Sequence, residues 1–203
     1  MDTVGGRSTM ASQGTERIAA FSDGVIAIIM TIMVLELKLP TSAGTGDIWS
    51  NLVEPLLPKL GVYALSFVIV GSGWVNHHQL LAAAQRVTLR LLMYNLILLF
   101  CLSLVPLAAG FLGEHPLLPR AIAFYALVMM AVAIAFGFLR AHLGRVDGHD
   151  PGHVQWRRST LMRSVAGAAI YAVAAGLAAF SPAAALALLV AVPLIFIPQA
   201  RGG

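Results

Sequence analysis

The stretch Arg17-Ile18-Ala19-Ala20-Phe21-Ser22-Asp23-Gly24-Val25-Ile26-Ala27-Ile28-Ile29-Met30-Thr31-Ile32-Met33-Val34-Leu35-Glu36 decides how the rest of the chain is read. From Gly24 to Leu35 it carries no charge and only Thr31 as a polar side chain, whereas Arg17, Ser22 and Asp23 crowd its beginning and Glu36 and Lys38 close it. At about 1.5 Å per residue, a helix over this stretch crosses a hydrocarbon core of about 30 Å. Pro40 then stops it.

At about 100° per residue, Gly24, Ile28, Thr31 and Leu35 fall on one narrow stripe, which Arg17 and Phe21 continue toward the N-terminal end. Asp23 points elsewhere, beside Ala27, Met30 and Val34. Two readings of the stripe stay open on periodicity alone. It packs against a neighbouring helix, as such stripes do in membrane bundles, or several copies surround an axis and turn Ile28, Thr31 and Leu35 into rings along a pore.

Composition sets the class. With 59% hydrophobic residues, 11% charged residues and a mean hydropathy of +0.84, the chain lies well outside the range of soluble domains. Its 203 residues hold about six helices of roughly 20 residues each, so the predicted fold class is an all-α, multi-pass membrane protein. The single Cys101 sits in an apolar run and excludes an intrachain disulfide. The net charge of +4 comes from Arg residues dispersed around hydrophobic segments, which reads as membrane topology and not as a nucleic-acid face.

Along the chain, residues 1–16 are expected to be a flexible cytoplasmic tail, 17–200 the six-helix membrane domain and 201–203 a short C-terminal tail. The first span is expected to be an uncleaved anchor. The second is placed at about Leu60 to His77, after an interfacial lead-in with Pro55 and Pro58, and the third at Thr88 to Gly110. The fourth covers Arg120 to Leu139, followed by a polar linker from Arg140 to Ser159. The fifth runs from Leu161 to Phe180, with Ala168, Ala172 and Gly176 predicted to face the bundle interior, and the sixth from Ala183 to Pro198 with a kink at Pro193. With the N-terminus in the cytoplasm, only Lys38, Lys59 and Arg120 fall outside, in accord with the positive-inside rule. Both termini are then cytoplasmic.

The segment Arg17-x-x-x-Phe21-Ser22-Asp23, followed by Gly24-Val25-Ile26-Ala27-Ile28 and an apolar helix, resembles the signature of the transmembrane protein 175 family, in its single-repeat prokaryotic branch. The resemblance is concentrated in residues 17 to 40, and Trp74-x-x-His77-His78 extends it to the second helix. It implies a potassium-permeable channel in a prokaryotic inner or plasma membrane, six helices per subunit, assembled as a homotetramer with the first helix lining a central pore. It also implies that Ile28 and Leu35 narrow the pore, that Thr31 contributes to cation preference, and that K⁺ is the permeant ion with no cofactor.

Asp23 carries a further ambiguity. A carboxylate at bilayer depth is costly, so Ser22 or Asp23 either caps the helix or occupies its first turn, or Arg17, Phe21, Ser22 and Asp23 form a network with Trp74, Asn76 and His77 at the cytoplasmic end. The family resemblance points to the network. Thr31 has a local alternative too, its hydroxyl bonding back to the carbonyl of Ala27.

No Thr-Val-Gly-Tyr-Gly filter occurs, so selectivity is expected from apolar and hydroxyl rings and not from a carbonyl cage. Adjacent His77 and His78 diverge on a helix, and Asp147, His149 and His153 in the linker make at most a weak metal site, so no metal centre is assigned. The alternative function is a small secondary transporter for a metal or a proton-coupled cation, against which stands the lack of central ionisable residues in spans two to six. An enzyme is not expected, because no nucleophile is paired with an oriented base.

Overall fold

The computed structural model describes residues 3–39, 47–82, 84, 87–146 and 151–196, with side chains over 14–39, 47–82, 84, 87–143 and 161–192. Among these residues the chain forms six antiparallel helical rods. The first is α1, Thr3–Ile32, tightened at its end into a 3-10 turn, Met33–Glu36. The second is α2, Glu54–Ala82, entered through a π-helical turn, Trp49–Val53. The third is broken into α3, Leu89–Ser103, and α4, Val105–Glu114. The last three are α5, Pro119–Val146, α6, Pro151–Leu177, and α7, Pro182–Phe196.

The protein is an integral membrane protein. The segments Gly14–Glu36, Trp49–Ala82, Leu89–Glu114 and Pro119–Leu143 are long and apolar enough to cross a bilayer, and Leu161–Leu177 and Pro182–Val192 are the shorter apolar parts of α6 and α7. Helix is the form such segments must take, because lipid offers no partner for a free backbone amide.

Local chemistry sets the boundaries. The amide of Leu37 bonds Val34 O and its ψ of 69° leaves the helical region, so the 3-10 turn that follows α1 ends there. Asp47 accepts from the amides of Trp49 and Ser50, capping the second rod. Thr88 does the same for α3 through Leu91 N, at 3.1 Å. Pro106 has no amide to donate to the carbonyl of Leu102, and the rod is interrupted at Leu104, between Ser103 and Val105.

Several sequence expectations are corrected. The lead-in from Leu52 to Leu60 is continuous helix, with Pro58 inside α2. The third rod extends to Glu114, past the predicted end at Gly110. Most of the stretch from Arg140 to Ser159 is helical, because α5 runs on to Val146 and α6 starts at Pro151. Polar residues in helix extending beyond the apolar part of a span read as a loop from composition alone. Helical backbone likewise reaches back to Thr3, into the stretch assigned to a tail. α7 continues through Pro193 to Phe196, and the reversal at Ser181-Pro182 is closed by Ser181 N bonding Leu177 O at 2.8 Å.

On α6 the small residues face the wrong way for the expected role. Ser164, Gly167, Tyr171 and Ala174 are buried, whereas Ala172 and Gly176 are exposed and Ala168 is half-buried. The core is a continuous layer between the rods, with Tyr125, Leu91, Leu98, Leu112 and Leu139 fully enclosed. Packing and hydrogen bonding hold it, since lipid tails are as apolar as the core; Ser66 and Tyr125 join α2 to α5 at 3.0 Å. The loop from Pro40, the linker side chains Asp147, His149 and His153, the side chain of Pro193 and the tail 201–203 lie outside the described residues.

Candidate functional site

α1 has two faces of opposite character. Ile18, Ser22, Ile26, Ile29 and Met33 are buried against the rest of the protomer. Arg17, Phe21, Gly24, Ile28, Thr31 and Leu35 are all exposed, Ile28 by 58% and Leu35 by 73%. A side chain added at Gly24 would meet nothing within 4 Å. The predicted stripe is therefore an open strip along one side of the protomer. Its last member belongs to the 3-10 turn, where residues advance about 120° and not 100°, which turns Leu35 further than helical periodicity implies.

Thr31 lies at the middle of the strip, and its hydroxyl donates to the carbonyl of Ile28 at 2.9 Å. The partner is one residue closer than the expected Ala27. That bond uses the one proton of the hydroxyl and leaves its lone pairs available.

Behind the strip, the buried face of α1 is tied to two other helices. Trp74 Nε1, on α2, donates to Asp23 Oδ1 at 2.8 Å, a charge-assisted bond. One residue earlier, Ser22 Oγ accepts from Asn95 Nδ2 of α3 at 2.8 Å. The Asn95 Oδ1 lies 2.7 Å from His77 Nε2 of α2. With Asn95 so oriented its oxygen is an acceptor, which places the His77 proton on Nε2. Ser22, His77 and Asn95 are 0%, 0% and 2% exposed, so this relay is dry, and each member depends on the next for satisfaction. The His77 Nδ1 has no hydrogen-bond partner among the described residues, in agreement with a bare lone pair there.

Comparison with known proteins gives this geometry its context. A family model described as endosomal/lysosomal potassium channel TMEM175 matches residues 17–106. A Streptomyces collinus protein named as a potassium channel is 38% identical over 178 residues, which cover 84% of this chain and 85% of that protein. The chain belongs to the TMEM175 family. A second potassium channel by name, from a Chryseobacterium species, is 42% identical over 134 residues, 66% of this chain and 67% of its own length. The crystal structure of a lysosomal potassium-selective channel TMEM175 homolog from Chamaesiphon minutus superimposes with a TM-score of 0.83 at 28% identity, covering 94% of this chain and 100% of that one.

Within this TMEM175-family protomer, the motif residues divide. Asp23 meets Trp74 directly, and Ser22 meets His77 through Asn95. Asn76 does not join them, because its amide donates to Ser72 O on its own helix at 2.9 Å and it lines a cavity on the other side of α2. Arg17 and Phe21 stand on the exposed strip. Since α1 continues back to Thr3, Ser22 and Asp23 sit within the helix and not at its N-terminus. Asn95 was missed from the sequence; the available signal was a lone amide in the otherwise apolar run Leu91 to Leu102, at the depth of the motif, where a polar side chain is costly without a partner.

Proposed function

We propose that this protein conducts K⁺ passively through a central pore formed by the α1 strips of four subunits, in a prokaryotic plasma membrane with both termini in the cytoplasm. The observation that carries this reading is the exposure of Gly24, Ile28, Thr31 and Leu35 along one side of the protomer while the opposite side of the same helix is buried and anchored. The relatives named potassium channels supply the ion.

Four copies of the strip around an axis make collars of Ile28 and Leu35 on either side of a ring of Thr31. The apolar collars close the path by excluding water unless they widen. Each Thr31 hydroxyl spends its proton on Ile28 O, so the ring faces the axis with acceptor lone pairs, the arrangement a partly dehydrated cation requires. Without carbonyl cages, discrimination of K⁺ over Na⁺ is modest. Asp23, Trp74, Ser22, Asn95 and His77 hold α1 against the helices behind it and so set how far the collars stand from the axis. No cofactor takes part.

The test is K⁺ flux from liposomes containing only the purified protein and a K⁺ gradient. The expected result is flux with no counter-substrate. A requirement for a second transported ion would make the protein a carrier and end the channel reading.

A further inference from the structure

Away from the α1 strip, α2, α5, α6 and α7, with Leu102 of α3, border a cavity of about 130 Å³. Residue order along the antiparallel rods divides its wall. Ile69, Leu102 and Met129 line the deeper, apolar part, whereas Asn76, Arg140, Arg163 and Ser164 lie toward the end where α2 and α5 finish and α6 begins. Arg140 is held in place: its Nη1 donates to Ser164 Oγ at 2.5 Å and its guanidinium lies 5.3 Å from the centre of the Phe136 ring. Arg163 borders the same space from the position beside Ser164 on α6 and is itself exposed. Every charged residue in the described lining is positive.

Two guanidinium groups beside an apolar recess in a membrane helix bundle raise the potential there and favour an anion. A small free anion makes no use of the apolar wall; a lipid uses both halves, its phosphate at the cationic end and the leading part of an acyl chain inside. We propose that this cavity binds an anionic lipid of the surrounding bilayer, with the phosphate between Arg163 and Arg140 and the chain against Ile69, Leu102 and Met129. Basic pockets between membrane helices serve anionic headgroups in this way.

The site adjoins the relay behind α1. The Phe136 ring that lies under Arg140 also meets the edge of His77, with ring centroids 6.4 Å apart, and His77 bonds Asn95, which bonds Ser22. A phosphate that draws on Arg140 therefore shifts the ring that supports His77, which reaches α1 through Asn95. Modulation of conduction by the lipid rests on the channel reading above; binding of the lipid does not.

Native mass spectrometry of the full-length protein in detergent, with added phosphatidylglycerol, phosphatidylcholine or inorganic phosphate, tests the binding. The wild type is expected to retain phosphatidylglycerol about fivefold better than phosphatidylcholine, the preference one arginine supplies. Arg163→Gln removes most of that preference and Arg163→Lys keeps part of it. Ala133, on the α5 wall of the cavity, gives a second variant: Ala133→Phe fills the cavity, leaves both cations in place and also removes the preference. Equal retention of the two lipids by the wild type overturns the site, whether or not the variants fold; so does undiminished preference in Arg163→Gln and Ala133→Phe. Retention of inorganic phosphate in place of lipid overturns the lipid as the ligand. In liposomes, K⁺ flux is expected to depend on phosphatidylglycerol in the wild type and to lose that dependence in Arg163→Gln. Lipid retention with flux indifferent to lipid overturns the coupling, and lipid retention with no flux at all overturns the channel reading while leaving the site.

Discussion

The two ends of the α1 span are fastened by opposite means. At the motif end, Ser22, Asn95 and His77 form a fully buried chain of bonds of 2.7 and 2.8 Å across three helices, and Asp23 adds the indole of Trp74. At the other end, Glu36, Lys38, Lys59 and Glu114 gather with charges that are nearly free of one another. Lys38 and Glu114 stand 3.8 Å apart with side chains 69% and 39% exposed, and Lys59 Nζ donates to Lys38 O at 3.2 Å. A bond in a dry site costs its full desolvation when broken, whereas an exposed ion pair contributes little. Polar chemistry thus anchors one end of the helix, and shape fits the other, where Gly110 lets Glu36 lie against α4.

The strongest way to break this contrast is Asn95→Leu, which strands both Ser22 and His77. Loss of about 2–4 kcal/mol of stability is expected from two buried groups left unmet, measured by thermal unfolding in detergent; an unchanged melting temperature would remove the relay from the anchoring of α1. Trp74→Phe keeps the ring and deletes the donor to Asp23. Its expected cost is about 1–2 kcal/mol, the half-exposed setting softening the loss of a charge-assisted bond, with altered channel opening in single-channel recordings.

At the other end, Gly110→Val should matter more than any charge there. A Cβ at Gly110 would lie 2.6 Å from Glu36 Oε2 and 3.2 Å from its Cβ, so the Glu36 carboxylate must swing aside and its Cβ give by a few tenths of an ångström, and with the two further methyls of valine the cost is about 1–3 kcal/mol. Single-channel currents of this variant should change together with its stability. Lys38→Ala is the small counterpart. It should shift stability by less than about 0.5 kcal/mol, and a larger loss would show that the outer charges work as a network. Between the two ends, Ile28→Asn leaves both fastenings intact and tests the strip alone. It should wet the collar and raise conductance or relax selectivity by a few-fold, and unchanged currents would take Ile28 out of the pore.

Helix number, the shared stripe of Gly24, Ile28, Thr31 and Leu35 and the polar cluster at the start of the first span were legible in the chain, because each is a property of one helix: a run of apolar residues, a 100° repeat, a charge cluster at an edge. Errors fell where a reading needed a neighbour. Arg140 looked like the first residue of a polar loop, yet α5 continues past it and it is bound to Ser164 of the next helix. Ala168, Ala172 and Gly176 looked like a packing surface, yet α6 is rotated so that Ser164, Gly167 and Tyr171 face inward. Asn76 sits two residues from Trp74 and one from His77, but a helix turns it about 160° from the first and about 100° from the second, and it serves the other side of α2.

By itself the sequence determined that this chain crosses the membrane as helices and which residues of α1 share one stripe; that the stripe faces away from the rest of the protomer was decided by the structure. Only the tertiary structure decided that Asn95 joins Ser22 to His77, and that Arg140 and Arg163 border one cavity. Periodicity records how residues are arranged around their own helix, whereas the rotation and height of one helix against the next come from packing many side chains at once, and those two quantities choose which polar groups meet.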